Sequence, residues 1–226
     1  MLPDVIILGD SHSNALMEGC EAHGLKAEMI RFSGNLWHGR RIVVHPEHGV
    51  WISKPKALQR QILDLRQKLG GRSILSPDVP VIGSFGFHLG RFAPMFGLQG
   101  HVTQRSEFEA DPESLFVSSA YVREYVTGLR TSHVRLARHF DQQTNLVMVA
   151  PPFASNQPNM RTFYDFMLDW MRAVGLRVYD PNADLVKAGM ALDPSYLLDD
   201  GRHGNGRYGA EVIGNMIAQG LIRRAA

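Results

Sequence analysis

The chain is 226 residues long with 44% hydrophobic and 20% charged residues, a balance that supports a sizeable buried core and excludes disordered and fibrous classes. Its 24 basic and 22 acidic residues leave a formal charge of +2, too weak and too dispersed to recruit nucleic acid or an anionic membrane surface. Cys20 is the sole cysteine, so no intramolecular disulfide forms; with no leader-like N-terminus and no 18-residue apolar run, the sequence reads as cytoplasmic as written, or as a mature form or excised domain, with no membrane span.

Val5-Ile6-Ile7-Leu8 is a continuous apolar run, the pattern of a strand buried on both faces of a parallel sheet, and it ends in Gly9-Asp10-Ser11. A helix over residues 14–23 follows, with Ala15, Leu16, Met17 and Cys20 at helical spacing, Ser13 as its N-cap and Gly24 as its stop. Residues 26–32 read as a second strand ending at Ser33-Gly34-Asn35, which completes a βαβ unit. Residues 41–53 alternate around Pro46-Glu47-His48-Gly49 and predict an inserted hairpin. A helix over 56–69 carries Leu58, Ile62, Leu65 and Leu69 on one face, and a strand over 79–83 follows. The Gly-, Pro- and Phe-rich stretch 84–115 is too long for a routine connection and is expected to border the site. Helices over 118–140, 159–174 and 206–222 then alternate with strands over 145–150 and 177–179. Strands alternating with helices predict one α/β domain spanning 1–226, a parallel sheet with helices on both faces and ligands beyond the carboxyl ends of its strands.

Two constellations carry chemistry. Ser11 stands on the turn between a buried strand and a helix, where the turn exposes Oγ and the following N–H groups and helix dipole favour an oxyanion. Alone, Gly-Asp-Ser reads first as a structural loop or cap. Asp200-Gly201-Arg202-His203 precedes the last helix; an imidazole held in one tautomer by a carboxylate three residues earlier is the base that a serine nucleophile needs. Alone, it reads first as a polar loop capping that helix.

Together, Gly9-Asp10-Ser11 after the first strand and Asp200-x-x-His203 before the last helix resemble the first and last blocks of the SGNH (GDSL-type) hydrolases. The resemblance implies a three-layer α/β/α, flavodoxin-like fold, with Ser11 as nucleophile, His203 as general base and Asp200 as its orienting partner. It also implies an oxyanion hole built from the N–H groups of Ser11 and Gly34. The family's third block is Gly-x-Asn, whereas this chain reads Gly83-Ser84-Phe85. Phe85 donates no side-chain hydrogen bond, so either Asn35, Ser84 or His88 substitutes, or the hole depends on backbone donors alone. The opening Gly-Asp-Ser-His, through His12, is similar to SGNH domains that modify or transfer acyl groups on glycans.

The expected function is hydrolysis of O-acyl, acetyl-like esters, on a carbohydrate, with small acyl or lipid esters as the alternative, by a serine esterase that needs no cofactor. The rival readings are a glycan- or acyl-binding pseudoenzyme, motivated by the absent Asn, and an O-acyltransferase. The expected partner is thus a small-molecule or glycan ester substrate. His12, Trp37, Phe85 and Phe87 are expected to border that substrate, with Phe92 and Phe96 near them, although a chain this apolar buries many aromatics in its core. His38, His45 and His48 match no zinc spacing. Asp10-x-His12 resembles the first metal block of calcineurin-like metallophosphoesterases, but neither Gly-Asp-x-x-Asp nor Gly-Asn-His occurs in the chain, so no metal is expected.

Overall fold

The computed structural model describes residues 2–38, 41–87, 101–103, 105–111, 113–153, 158–186 and 191–223. Its centre is a sheet of five parallel strands, β1 (Val5–Gly9), β2 (Ala27–Arg31), β5 (Val81–Ser84), β8 (Leu146–Val149) and β9 (Val178–Tyr179), in the order β2-β1-β5-β8-β9. Counting the strands of this sheet alone, the order is 2-1-3-4-5, the flavodoxin-like arrangement whose switch point lies between β1 and β5. All five residues of β1 are buried, which is why the strand is apolar throughout and does not alternate.

The two faces of β1 feed separate cores. Ile6 and Leu8, with Leu146 and Met148 of β8, pack under α3 (Lys56–Lys68), α5 (Ser119–Asp141) and α6 (Pro158–Ala173). Val5 and Ile7, with Val147 and Val149, pack under α1 (Ser13–Ala22) and α8 (Gly206–Ala218). This is the three-layer α/β/α fold. Strands β3 (Ile42–His45) and β4 (Gly49–Ile52) form an antiparallel hairpin, with Ile42, Val50 and Ile52 in the first core.

Several elements depart from the sequence expectations for local reasons. Ser13 is the first residue of α1 and not its cap; the preceding His12 already has helical angles, and Asp10 Oδ1 accepts the His12 N–H at 2.9 Å. The last helix stops at Ala218 because Gly220 turns to φ +68°. The 84–115 stretch is not wholly irregular: strands β6 (His101–Val102) and β7 (Leu115–Phe116) pair in parallel around α4 (Arg105–Ala110). Residues 88–100, including His88, Phe92 and Phe96, lie outside the described residues. The short helices α2 (Gly34–His38) and α7 (Pro181–Leu185) were not anticipated from the sequence.

Candidate active site

The sheet brings the two chemical motifs to one place by bringing two helices together. Gly19 of α1 faces Gly209 of α8 so closely that a Cβ on Gly19 would lie 2.1 Å from the Gly209 carbonyl oxygen, and one on Gly209 would lie 1.7 Å from that of Ala15. Only glycine permits this approach. Ser11 lies two residues before α1 and His203 three residues before α8, so the helix contact fixes the separation of their side chains.

The turn after β1 is held equally closely. Asp10 N–H bonds to the Ser84 carbonyl at 3.0 Å, and Ser13 N–H to the Asp10 carbonyl at 3.1 Å. Gly9 is obligatory here, because its Cβ would lie 2.3 Å from Ser13 Oγ and 2.5 Å from the Ser84 carbonyl oxygen. The Gly9 carbonyl in turn accepts the Phe32 N–H at 2.8 Å and the Trp37 indole N–H at 3.3 Å. Ser11 itself is exposed beyond the end of β1.

The second loop folds as a small turn. Leu197 bridges Gly204, Leu198 N–H bonds to the His203 carbonyl at 2.8 Å, and Gly201 takes φ +64°. Asp200 Oδ1 accepts the N–H groups of Arg202 at 2.9 Å and His203 at 3.0 Å, while Oδ2 lies 2.5 Å from His203 Nδ1. The His203 N–H, then the His203 side chain, then the Arg202 N–H hold the Asp200 carboxyl well below the usual carboxylate range. It is therefore an acceptor at neutral pH, and the His203 Nδ1 facing it carries the proton. That leaves Nε2 to meet Ser11 Oγ, at 2.7 Å. Asn205 caps α8 by accepting the Tyr208 N–H at 3.1 Å, and the Tyr208 ring packs on Gly204, where a Cβ would lie 2.3 Å from the ring.

The structure thus brings together Ser11, His203 and Asp200, with the His12 ring centroid 4.7 Å from that of His203. Gly34 opens α2 beyond the end of β2, next to β1 in the sheet. Among the described residues, no acceptor takes the N–H of Ser11 or of Gly34. The side chain of Asn35 lies outside the described residues, as does that of His38. Ser84 is 3% exposed and its carbonyl is already taken by Asp10, so it is part of the sheet and not of the site's rim.

The expectation that Trp37, Phe85 and Phe87 border the substrate is corrected. They are 3%, 1% and 4% exposed. Trp37 stacks on Phe85 at 4.1 Å and 6°, and Phe87 packs near Tyr164. At the position of the absent Asn, Phe85 therefore completes the core under the sheet. Trp37 supports the turn that carries Ser11 from below through its bond to Gly9, a role that a lone aromatic in the sequence does not signal. Its far side lines a cavity of about 400 Å³ between the β3–β4 hairpin and α5, whose walls include neither Ser11 nor His203. His45 and His48 stack on one another at 4.2 Å. His45 Nδ1 accepts the N–H groups of Glu47 and His48, a turn-stabilising task. Among the described residues, no three His, Cys, Asp or Glu side chains gather to hold a metal ion.

A buried polar cluster also escaped the sequence reading. Tyr164 O–H donates to Asp180 Oδ1 at 2.8 Å, and Asn182 donates to the Tyr164 oxygen, to Asp180 and to the Pro151 carbonyl. It ties the segments after β8 and β9 together, and burial holds the Tyr164 hydroxyl in its neutral form well past the usual phenol range.

No family model matches the sequence, and no curated protein matches it. Among solved structures, 97% of the chain aligns with 84% of the periplasmic domain of a lipopolysaccharide acetyltransferase from Salmonella ser. Paratyphi A, at 7% identity and a TM-score of 0.51. A GDSL-like lipase from Bacteroides thetaiotaomicron aligns over 96% of this chain and 86% of its own, at 13% identity and a TM-score of 0.44. An alpha/beta hydrolase enzyme from the metagenome of Lake Arreo, Spain, aligns over 97% and 95%, at 16% identity and 0.47. The likeness to the acetyltransferase domain is one of fold, and the fold is the three-layer arrangement that the SGNH/GDSL resemblance implies.

Proposed function

We propose that the chain is a serine esterase acting on O-acyl esters, with small acetyl-like groups on a carbohydrate as its substrate class. The observation that carries this reading is the continuous line from Asp200 through His203 to Ser11, with Nε2 2.7 Å from Oγ. In the first step Ser11 Oγ bonds to the carbonyl carbon while its proton passes to His203 Nε2. Asp200 keeps Nδ1 protonated and stabilises the imidazolium. The oxyanion is received by the main-chain N–H groups of Ser11 and Gly34. Collapse expels the sugar alkoxide, which takes the proton from Nε2, and leaves an acyl-serine. Water then attacks that ester, losing a proton to Nε2, and Ser11 leaves with it.

The substrate class is argued from access. Side chains of His203 and Asp200 are 30% and 46% exposed, so the reacting centre lies at the surface, where a bulky alcohol portion has room. A second reading, transfer of the acyl group from the acyl-serine to a sugar hydroxyl in place of water, uses the same residues. The fold likeness to a lipopolysaccharide acetyltransferase domain favours keeping it in view. In the third reading the chain binds a glycan or an acyl group without turnover.

Release of acetate from acetylated mono- and oligosaccharides, compared for wild type and Ser11→Ala, tests the proposal. Turnover lost in Ser11→Ala supports it, and turnover unchanged in that variant refutes the assignment of Ser11. Including a free sugar acceptor separates hydrolysis from transfer by the acylated product. Saturable binding of the same saccharides without release identifies the binding reading.

A further inference from the structure

Two imidazoles meet at the site. His12 follows the nucleophile, and its ring centroid lies 4.7 Å from that of His203 with the planes tilted by 33°, within the range where aromatic rings attract one another beyond the area they bury. The two rings are carried very differently. His12 is fixed through its own main chain: its N–H is held by the carboxylate of Asp10, which is 3% exposed, and α1 begins immediately after it. His203 stands on the turn that needs Gly201 at positive φ, and its side chain is 30% exposed. Its two nitrogens are engaged by Asp200 and Ser11, but both partners are exposed and neither touches the flat of the ring.

We propose that His12 is a positioning residue for the reaction: its ring packs against that of His203 and holds the imidazole in the rotamer that aligns Nε2 with Ser11 Oγ. This rests on the catalytic reading above. The role needs a flat side chain at position 12 and does not need the imidazole nitrogens. An attacking pair tolerates little misplacement, so loss of the contact appears as a lower fraction of enzyme with the base aligned. The expected cost is roughly 2- to 10-fold in rate, the range that an aromatic pair contact supplies.

The test compares wild type, His12→Ala and His12→Phe by the rate at which a fluorophosphonate labels Ser11, by kcat and KM on an acetyl ester, and by thermal melting. The expected result is slower labelling and a lower kcat in His12→Ala at unchanged KM, with a melting temperature lower by about 1–6 °C at most, and His12→Phe restored to within about 2-fold of wild type. Labelling of His12→Ala at the wild-type rate overturns the inference. So does a His12→Phe as slow as His12→Ala, which would assign the role to the imidazole nitrogens. If wild type is not labelled at all, the catalytic reading fails. The ring contact is then decided by NMR, where the His203 ring loses order in His12→Ala if the inference holds and keeps it if the inference is wrong.

Discussion

Replacing Gly209 by Ala tests how the fold sets the distance between Ser11 and His203. The added Cβ would stand 1.7 Å from the Ala15 carbonyl oxygen and 2.6 Å from its carbon. Both atoms belong to the α1 backbone, which cannot turn aside as a side chain would. A carbon needs roughly 3.3 Å from a carbonyl oxygen, so α8 must draw away from α1 by about 1.6 Å. The Ser11–His203 bond, 2.7 Å long, spans the loops that precede these two helices and inherits much of that displacement. Overpacking of this kind costs about 1–3 kcal/mol of stability, and a midpoint lower by about 2–4 °C for each. A misplacement near 1 Å between reacting groups costs about 100-fold in rate. The expected outcome is therefore an enzyme that still melts cooperatively yet turns over an acetyl ester about 100-fold more slowly. The control is Gly128→Ala in the middle of α5, where an added Cβ meets nothing within 4 Å; it gains about 0.5–1 kcal/mol from helix propensity and keeps full activity. Gly209→Ala with wild-type turnover and melting would refute the argument that this helix contact aligns the site.

Further outcomes follow from individual contacts. Asp200→Asn removes the carboxylate that fixes the His203 tautomer, and kcat is expected to fall by about 10⁴-fold, with a lower melting temperature at neutral pH. The depressed Asp200 carboxyl adds stability that is fully present above the ordinary carboxylate pKa and is lost as pH falls through its lower folded value. Acid titration of the melting temperature should accordingly show a loss on the acid side that is smaller in Asp200→Asn. Tyr164→Phe leaves the buried Asp180 short of one donor and costs about 1–3 kcal/mol in denaturant unfolding. Trp37→Phe retains the stack on Phe85 but loses the bond to the Gly9 carbonyl, at about 1 kcal/mol in the same measurement.

Most of the layer order was legible because it follows from local pattern. The unbroken apolar run of β1, the helical spacing in α3 and the Gly24 stop after α1 each point one way. The juxtaposition of Ser11 with Asp200 and His203, the latter 192 residues away in the chain, follows only from the paired motifs and their resemblance to a family. What stayed hidden depends on partners distant in the chain. Nothing around Gly19 and Gly209 announces that their helices touch, because a helical glycine also occurs for weaker reasons. Trp37 and Phe85 read equally well as substrate rim or as core; only the placement of β1, β2 and β5 puts them beneath the sheet. Asp180, Asn182 and Tyr164 look like ordinary surface polar residues until β8 and β9 are seen to deliver them to one buried point.

The central claim is that Ser11 is an activated nucleophile, and its direct test is reaction of the wild-type chain with a fluorophosphonate, followed by intact mass and peptide mapping. The account predicts a single adduct on Ser11 that is absent in Ser11→Ala and strongly slowed in His203→Ala. An unmodified chain, or an adduct on another serine that persists in Ser11→Ala, would contradict it.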